Sequence, residues 1–148
     1  MTILTQLVTA FAGSLGFALL FNIRRDRLFP AAMGGLLAWG VYLLVGPLVA
    51  WDVPRFFIAS LALTLYAEIM ARVKKSPATV FLVSASIPLI PGGSLYTTMQ
   101  YAVSAQWEAF TTQGMNTLLL AGAIAGGMLC MMAVLHVCHR LYLLLRQA

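Results

Sequence analysis

The stretch Ile87-Pro88-Leu89-Ile90-Pro91-Gly92-Gly93-Ser94-Leu95-Tyr96 decides the fold, because it interrupts an apolar run long enough to cross a bilayer. Its two prolines lack a backbone N–H, so the carbonyls of Ser84 and Ile87 are expected to lose their helical partners. Its two glycines allow the backbone to leave the helix, and a left-handed backbone is expected at Gly92. Unsatisfied backbone groups cost several kcal/mol each at membrane depth, so such breaks persist where they are buried in protein or line a cavity.

The composition of the chain is that of an integral membrane protein. Of its 148 residues, 61% are hydrophobic and only 9% are charged, and the mean hydropathy is +0.92. A soluble domain carries more charge, so the chain is expected to be embedded in the bilayer as one domain spanning residues 1–148. No basic face with interleaved aromatic residues occurs, and nucleic acid is therefore not an expected partner.

Five apolar segments are long enough to cross a membrane as helices. They run from about Ile3 to Ile23, Leu28 to Ala50, Pro54 to Arg72, Ala78 to Ala102 and Asn116 to Leu145. The fourth is broken into halves of about 11 residues, Pro77–Ile87 and Ser94–Ser104, each roughly 16 Å long and half a bilayer core deep. The sequence predicts an all-α membrane protein of about five transmembrane helices, with Pro30 in a first helical turn.

The basic residues predict an orientation in the membrane. Eight of the nine fall in three regions that five crossings place on one side, and only Arg55 falls on the other. The eight are Arg24, Arg25, Arg27, Arg72, Lys74, Lys75, Arg140 and Arg146. The positive-inside rule then places the amino terminus outside and the carboxyl terminus in the cytoplasm. A re-entrant hairpin in segment four would leave six against three, which fits less well.

Two further patterns concern packing and the membrane surface. Residues 104–113 are amphipathic, with Trp107, Glu108 and Phe110, and are expected to form a short interfacial piece. Small residues four apart allow helices to approach closely. These pairs are Ala12 and Gly16, Ala31 and Gly35, and Gly122 and Gly126. Packing within the chain explains them most simply, and a face for a partner chain is the alternative.

The break suggests a chemistry for binding. The second half-helix is expected to begin near Gly93 and Ser94, where free N–H groups and the helix dipole favour an anion and Ser94 is a candidate cap. The unpaired carbonyls at the end of the first half-helix suit an ammonium group. A small carboxylate or a zwitterion therefore fits between the two half-helices. The candidate substrate-binding residues are Ser84, Pro88, Pro91, Gly92, Gly93, Ser94, Tyr96 and Asn22.

Several of these polar residues also have simple structural interpretations. Back-bonding to their own helix explains most Ser and Thr residues, and a helix terminus explains Asn22. Glu68, the one acidic residue clearly inside a segment, is spaced to pair with Arg72 one turn away. The alternative for Glu68 is a carboxylate that couples transport to protons.

No constellation of catalytic or metal-binding residues is present in the sequence. The chain lacks the HExxH, GxSxG and P-loop motifs, so an enzyme is not expected. His136 and His139 have no carboxylate near them in sequence, and neither a metal nor another cofactor is expected.

Five stretches of the chain resemble the threonine/serine exporter family, in particular its small subunit or carboxyl-terminal membrane domain. They are Lys75–Phe81, Ile87–Tyr96, Gly16–Asn22 followed by basic residues, Ala67–Arg72 and Thr117–Ala123. The likeness covers nearly the whole chain, and the proline-proline-glycine stretch is its most specific part. The chain departs from it at Arg24 and Arg25, where many relatives have a proline after the first helix.

The resemblance implies export of small amino acids, threonine or serine, or of succinate in the two-component relatives. It also implies a larger membrane subunit of the same family as partner. The sequence thus favours a subunit of a secondary transporter in the bacterial inner membrane that does not transport alone, since five crossings are few for two gates. The alternative is a non-transporting assembly or scaffold subunit, which would gain nothing from an intramembrane break.

Overall fold

All elements along the described chain are helices, which confirms the all-α prediction. The computed structural model describes residues 2–147, apart from the side chains of residues 139 and 142–147. The side chains of His139 and Arg146, named above, lie outside the described residues. The elements are α1 (Ile3–Leu20), α2 (Arg25–Val45), α3 (Asp52–Val73), α4 (Ala78–Ala85), a 3-10 turn (Ile87–Leu89), α5 (Gly92–Val103) and α6 (Trp107–Gln147).

The lengths of the helices agree with the segments expected from the sequence. Four of them, α1, α2, α3 and α6, are long and apolar enough to cross a membrane. Residues 78–89 and 92–103 together pass the same test but bend by 57° at the break between them. Counting this bent pair as one span gives five crossings, with the fourth broken where the prolines and glycines stand.

Three helices end in the same way, with one non-glycine residue in the left-handed conformation. These residues are Asn22, Lys75 and Ala105, with φ angles of 53°, 47° and 53°. After α1, for example, the N–H of Ile23 donates to the carbonyl of Ala18 over 3.0 Å, which is the closing bond of a Schellman motif. The interpretation of Asn22 as a helix terminus is therefore confirmed.

Pro30 lies deeper in its helix than the sequence predicted. Because α2 begins at Arg25, Pro30 is the sixth helical residue and falls in the second turn, so the expectation of a first-turn proline is wrong. Its ring nitrogen cannot donate to the carbonyl of Asp26. The hydroxyl of Tyr66 on α3 donates to the carbonyl of Pro30 over 2.8 Å and ties the proline region of α2 to α3.

Residues 104–113, expected to be a short interfacial piece, do not form a separate element. Only Ser104–Gln106 separate α5 from α6, and the first helical bond of α6 runs from the N–H of Phe110 to the carbonyl of Gln106 over 2.9 Å. No proline interrupts the chain from Trp107 onward, and Glu108 stands in the first turn, where a negative charge favours the helix dipole. The amphipathic stretch is therefore the beginning of the longest helix.

Helices α2 and α3 lie at the centre of the packing. Helix α2 packs against α1, α3 and α4, and α3 also packs against α4 and α6, whereas α5 packs mainly against α6. Two apolar clusters result. One holds Ala38, Phe56, Ala59, Leu63, Ala85, Leu89, Leu120 and Ala123, and the other holds Ala18, Ala31, Ala67, Ala71 and Phe81. The broken span contributes to both, and the break lies beside the first.

Small residues allow the closest helix approaches, although not at all the expected positions. A β-carbon added at Gly35 would lie 2.7 Å from the β-carbon of Ser14, so α1 and α2 touch there. An added β-carbon at Gly127 would lie 2.6 Å from the carbonyl oxygen of Phe57 on α3. Gly122 and Gly16 have nothing within 4 Å of that position, so the expected close contacts at these two glycines are wrong within the described chain.

Candidate functional site

The first half of the broken span ends by tightening into a 3-10 turn. After α4, the N–H of Leu89 donates to the carbonyl of Ser86 over 2.9 Å, and that of Ile90 donates to Ile87 over 3.2 Å. The carbonyl of Ile87 therefore keeps a backbone partner, and the expectation that Pro91 leaves it unpaired is wrong. The short turn thus compensates for the missing proline N–H.

The chain then bends at Pro91 rather than at the glycines. Pro91 has φ −76° and ψ 58°, and the N–H of Gly92 donates to the carbonyl of Ile90 over 2.7 Å. These are the features of an inverse γ-turn. Helix α5 begins at Gly92, and no described glycine has a positive φ, so the expected left-handed backbone at Gly92 is wrong. Ser94 stands in the first turn and does not cap the helix.

Of the two expected settings for the break, burial in protein or the lining of a cavity, the 3-10 turn shows the second, beside an open, groove-like cavity. The cavity lies between α1, α2 and the 3-10 turn and has a volume of about 480 Å³. It is lined by Gln6, Thr9, Ala10 and Gly13 of α1, Trp39 of α2, and Ile87 and Pro88 of the turn. A cavity of this volume can hold a small metabolite, since ligand pockets usually measure about 300–1,000 Å³.

The polar groups of this cavity come from α1 and α2. The indole N–H of Trp39 donates to Oε1 of Gln6 over 3.2 Å. The hydroxyl of Thr9 is within 2.9 Å of the carbonyls of both Thr5 and Gln6. All described residues that line the cavity are uncharged. The site thus offers amide and hydroxyl groups in a largely apolar setting.

A second group of polar side chains lies on the other side of the break, between α5 and α6. Ser94 and Thr117 share a hydrogen bond of 2.7 Å, and Thr98 is 3.1 Å from Thr117. The side-chain amide of Gln113 donates to the hydroxyl of Ser94 over 3.0 Å. These four side chains satisfy one another, and they join the second half-helix to α6.

Ser84 and Tyr96 are not among the residues that line the cavity. Ser84 is fully buried in α4, and its hydroxyl lies 3.4 Å from the carbonyl of Val80 on its own helix, as back-bonding predicts. Tyr96 is 71% exposed on α5 and borders a separate shallow groove. Gly92 and Gly93 are exposed at the start of α5. Of the predicted substrate-binding residues, the structure brings Pro88 to the cavity.

Asn22 and Glu68 flank the second apolar cluster, away from the cavity lining. Asn22 lies two residues beyond the end of α1, and Glu68 is partly exposed on α3 next to the buried Ala67. Glu68 and Arg72 form no ion pair; the ion pairs along the described part of the chain join Asp26 and Asp52 to arginines. The interpretation of Glu68 as the partner of Arg72 is therefore wrong.

Sequence reasoning missed Gln6, Thr9, Gln113 and Thr117. Gln6, Thr9 and Gly13 recur at three- and four-residue intervals and so share one face of α1. A polar residue on each turn of an apolar helix is the signal that could have revealed this wall of the cavity. The amphipathic pattern of residues 104–113 predicted an interfacial position for Gln113, so its position on α6 was not predicted.

A helical membrane protein whose broken span lines a cavity of this size has the architecture of a transport protein. The comparison with protein families supplies the assignment: the model described as "Threonine/Serine exporter, ThrE" matches residues 6–134. The chain therefore belongs to the threonine/serine exporter family, and its role is membrane transport of the exporter type. No match was found among curated proteins or among solved structures.

Proposed function

We propose that this chain is a subunit of a secondary transporter that exports a small amino acid, threonine or serine, through the cavity beside the break. The observation that supports this proposal is that Ile87 and Pro88 of the 3-10 turn form one wall of a cavity of about 480 Å³. A scaffold subunit would not require a cavity at its broken helix. The exposed first turn of α5, with Gly92, Gly93 and Ser94, is a separate proposed contact for a substrate carboxylate, outside the lining of this cavity.

The uncharged lining favours an amino acid over succinate, the other substrate implied by the resemblance. A dicarboxylate carries two negative charges, and a buried charge requires a paired charge or a set of hydrogen bonds. The lining of this chain supplies an amide and a hydroxyl but no lysine or arginine. A zwitterion has no net charge and fits such a lining better, whereas a dicarboxylate would need cations supplied by a partner.

The orientation proposed for the chain places the amino terminus outside a bacterial inner membrane and the carboxyl terminus in the cytoplasm. The clusters at Arg24–Arg27 and Arg72–Lys75 lie on the connections that five crossings put on the cytoplasmic side. In a cysteine-free background, a cysteine at Ala105 is expected to react with an impermeant reagent added to intact cells, because the connection from α5 to α6 is then external. A cysteine at Ser76 is expected not to react, and the reverse pattern would overturn the orientation.

A larger membrane subunit of the same family is the proposed partner. Helix α5 packs mainly against α6 and has no buried residues, so most of its surface is free for another membrane chain. Many secondary transporters place the substrate between two related halves. If the partner subunit supplied the second half of such a transporter and packed on α5, it would enclose the exposed Gly92 and Gly93 of the break.

Transport by vesicles tests this function. Vesicles holding the chain together with its partner are expected to exchange labelled threonine, whereas the chain alone is expected to show little exchange.

Glu68 is the proposed coupling group, so the Glu68→Gln variant is expected to exchange threonine but to lose accumulation driven by a pH gradient. Exchange of succinate but not of threonine by the unmodified chain with its partner would contradict the proposed substrate. Robust exchange of threonine by the chain alone would contradict the proposed need for a partner.

A further inference from the structure

The side chain of Gln6 has one end fixed and the other end free. An indole N–H can only donate, so the Gln6 atom 3.2 Å from Nε1 of Trp39 must be the amide oxygen. The orientation of the amide, often ambiguous, is thereby settled. No described residue accepts a hydrogen bond from the NH₂ group of Gln6, although Gln6 lines the cavity. Both of its donors are therefore available to a ligand.

A chain of contacts from the connection between α2 and α3 holds Trp39 in place. The ring of Tyr42 stacks on Trp39 with centroids 4.8 Å apart. The hydroxyl of Tyr42 donates to Asp52 over 3.0 Å, and the guanidinium of Arg55 binds the same carboxylate oxygen over 3.2 Å. Arg55 also donates to the carbonyl of Gly46 over 2.9 Å. Trp39, and through it the amide of Gln6, is thus positioned before any ligand arrives.

Thr9 complements Gln6 from the next turn of α1. Its hydroxyl hydrogen is used by the carbonyls of Thr5 and Gln6, each 2.9 Å away, so the oxygen lone pairs remain to accept a bond. Residues three apart on a helix have their β-carbons about 5–6 Å apart. A donor at Gln6 and an acceptor at Thr9 therefore match the carboxylate and ammonium groups of one small amino acid.

We propose that Gln6 is the residue that binds the substrate carboxylate, with Thr9 accepting from the ammonium group and Trp39 fixing the Gln6 amide. This assignment rests on the proposed function in taking an amino acid as the ligand. Gln6 and Thr9 belong to α1, and Ile87 and Pro88 of the 3-10 turn line the same cavity. The substrate is therefore held between α1 and the 3-10 turn. Tyr42, Asp52 and Arg55 are positioning residues, which act through Trp39 without touching the ligand.

The fluorescence of Trp39 provides a measurement that is independent of transport. In a Trp51→Phe/Trp107→Phe background, Trp39 is the remaining tryptophan, and it lines the cavity. The full chain, together with a partner whose own tryptophans are replaced by phenylalanine, is titrated in lipid nanodiscs with threonine, serine and succinate. Threonine is expected to change the emission, and Gln6→Ala is expected to weaken its apparent affinity by about tenfold or more, as for a hydrogen bond to a charged group.

Matched variants separate a binding role from a structural one. Thr5→Ala, one position from Gln6 and outside the cavity lining, is expected to bind threonine as the unmodified chain does. In vesicles, Gln6→Ala is expected to raise KM for threonine with a smaller change in kcat, and Gln6→Glu to raise it further by charge repulsion. Tyr42→Phe, which keeps the ring stack but removes the bond to Asp52, is expected to raise KM less than Gln6→Ala.

The outcomes distinguish this inference from the proposed function. Threonine transport and Trp39 response that are both unaffected by Gln6→Ala would overturn the assignment of Gln6 while leaving export of threonine intact. A response to succinate alone would overturn the joint assignment of Gln6 and Thr9, because succinate has no ammonium group from which Thr9 could accept a hydrogen bond. Absence of threonine exchange by the unmodified chain with its partner would instead refute the proposed function itself.

Discussion

Gly35→Ala is expected to disrupt the junction of α1, α2 and the break, with loss of both stability and transport. A β-carbon at this position would overlap the hydroxyl of Ser14, lie 2.7 Å from its β-carbon and lie 3.3 Å from the ring of Pro88. Ser14 is fully buried and its side chain is short, and the proline ring is rigid, so neither neighbour can move aside cheaply. Overpacking of this kind costs about 1–3 kcal/mol, and the displaced proline ring would distort the cavity.

A matched variant on the same helix isolates the packing term. Gly40→Ala gains the same helix propensity, roughly 1 kcal/mol, but its β-carbon would meet only Leu7 at an ordinary 3.7 Å. Thermal unfolding in detergent and threonine exchange in vesicles are the measurements. Gly40→Ala is expected to be at least as stable as the unmodified protein, and Gly35→Ala clearly less stable. Equal midpoints for the two variants would show that α1 and α2 do not meet closely at Gly35.

A second substitution tests the named neighbour directly. The hydroxyl of Ser14 is buried without a hydrogen-bond partner among the described residues, so its removal breaks no hydrogen bond. Ser14→Gly removes both atoms that an alanine at position 35 would meet most closely. The double variant Gly35→Ala/Ser14→Gly is therefore expected to recover part of the lost stability and exchange. If it recovers neither, Ser14 is not the obstacle.

Gly127→Ala is expected to separate α6 from α3, the second large effect. The added β-carbon would lie 2.6 Å from the carbonyl oxygen of Phe57 and would also overlap the hydroxyl of Ser60. A backbone carbonyl cannot rotate away as a long side chain can, so the helices must move apart. Separation would open the apolar contacts around Leu120 and Ala123, and a cost of about 1–3 kcal/mol or more follows.

Gly122→Ala is the control for this prediction, because nothing lies within 4 Å of its added β-carbon. Both variants place an alanine in the interior of α6, and they differ only in the face they occupy. The measurement is the fraction of monodisperse protein that survives heating in detergent, which is expected to fall for Gly127→Ala alone. A fall for Gly122→Ala of the same size would point to a partner chain on that face.

The sequence by itself determined the features that depend on local chemistry. An apolar run of sufficient length must form a helix in a bilayer, because no water is present to satisfy its backbone groups. The two closely spaced prolines of the fourth segment, followed by two glycines, favoured an interruption of that helix, since prolines cannot donate a hydrogen bond. The five segments and the cavity-lining break followed from these two facts. The γ-turn at Pro91, the position of Pro30 in the second turn of α2 and the start of α6 at Trp107 were not foreseen.

The tertiary structure decided which face of each helix packs against the protein. In a soluble helix the apolar stripe marks the buried face, but these helices are apolar on every side, so the pattern does not distinguish protein from lipid. The sequence therefore favoured Gly122 over Gly127, and the polar spacing on α1 did not by itself show whether Gln6 faces a cavity or lipid, nor which helix Thr117 of α6 faces. The roles of these residues arise because other helices bring partners to them from distant parts of the chain. Ser60 lies against Gly127, Trp39 binds Gln6, and Ser94 binds Thr117.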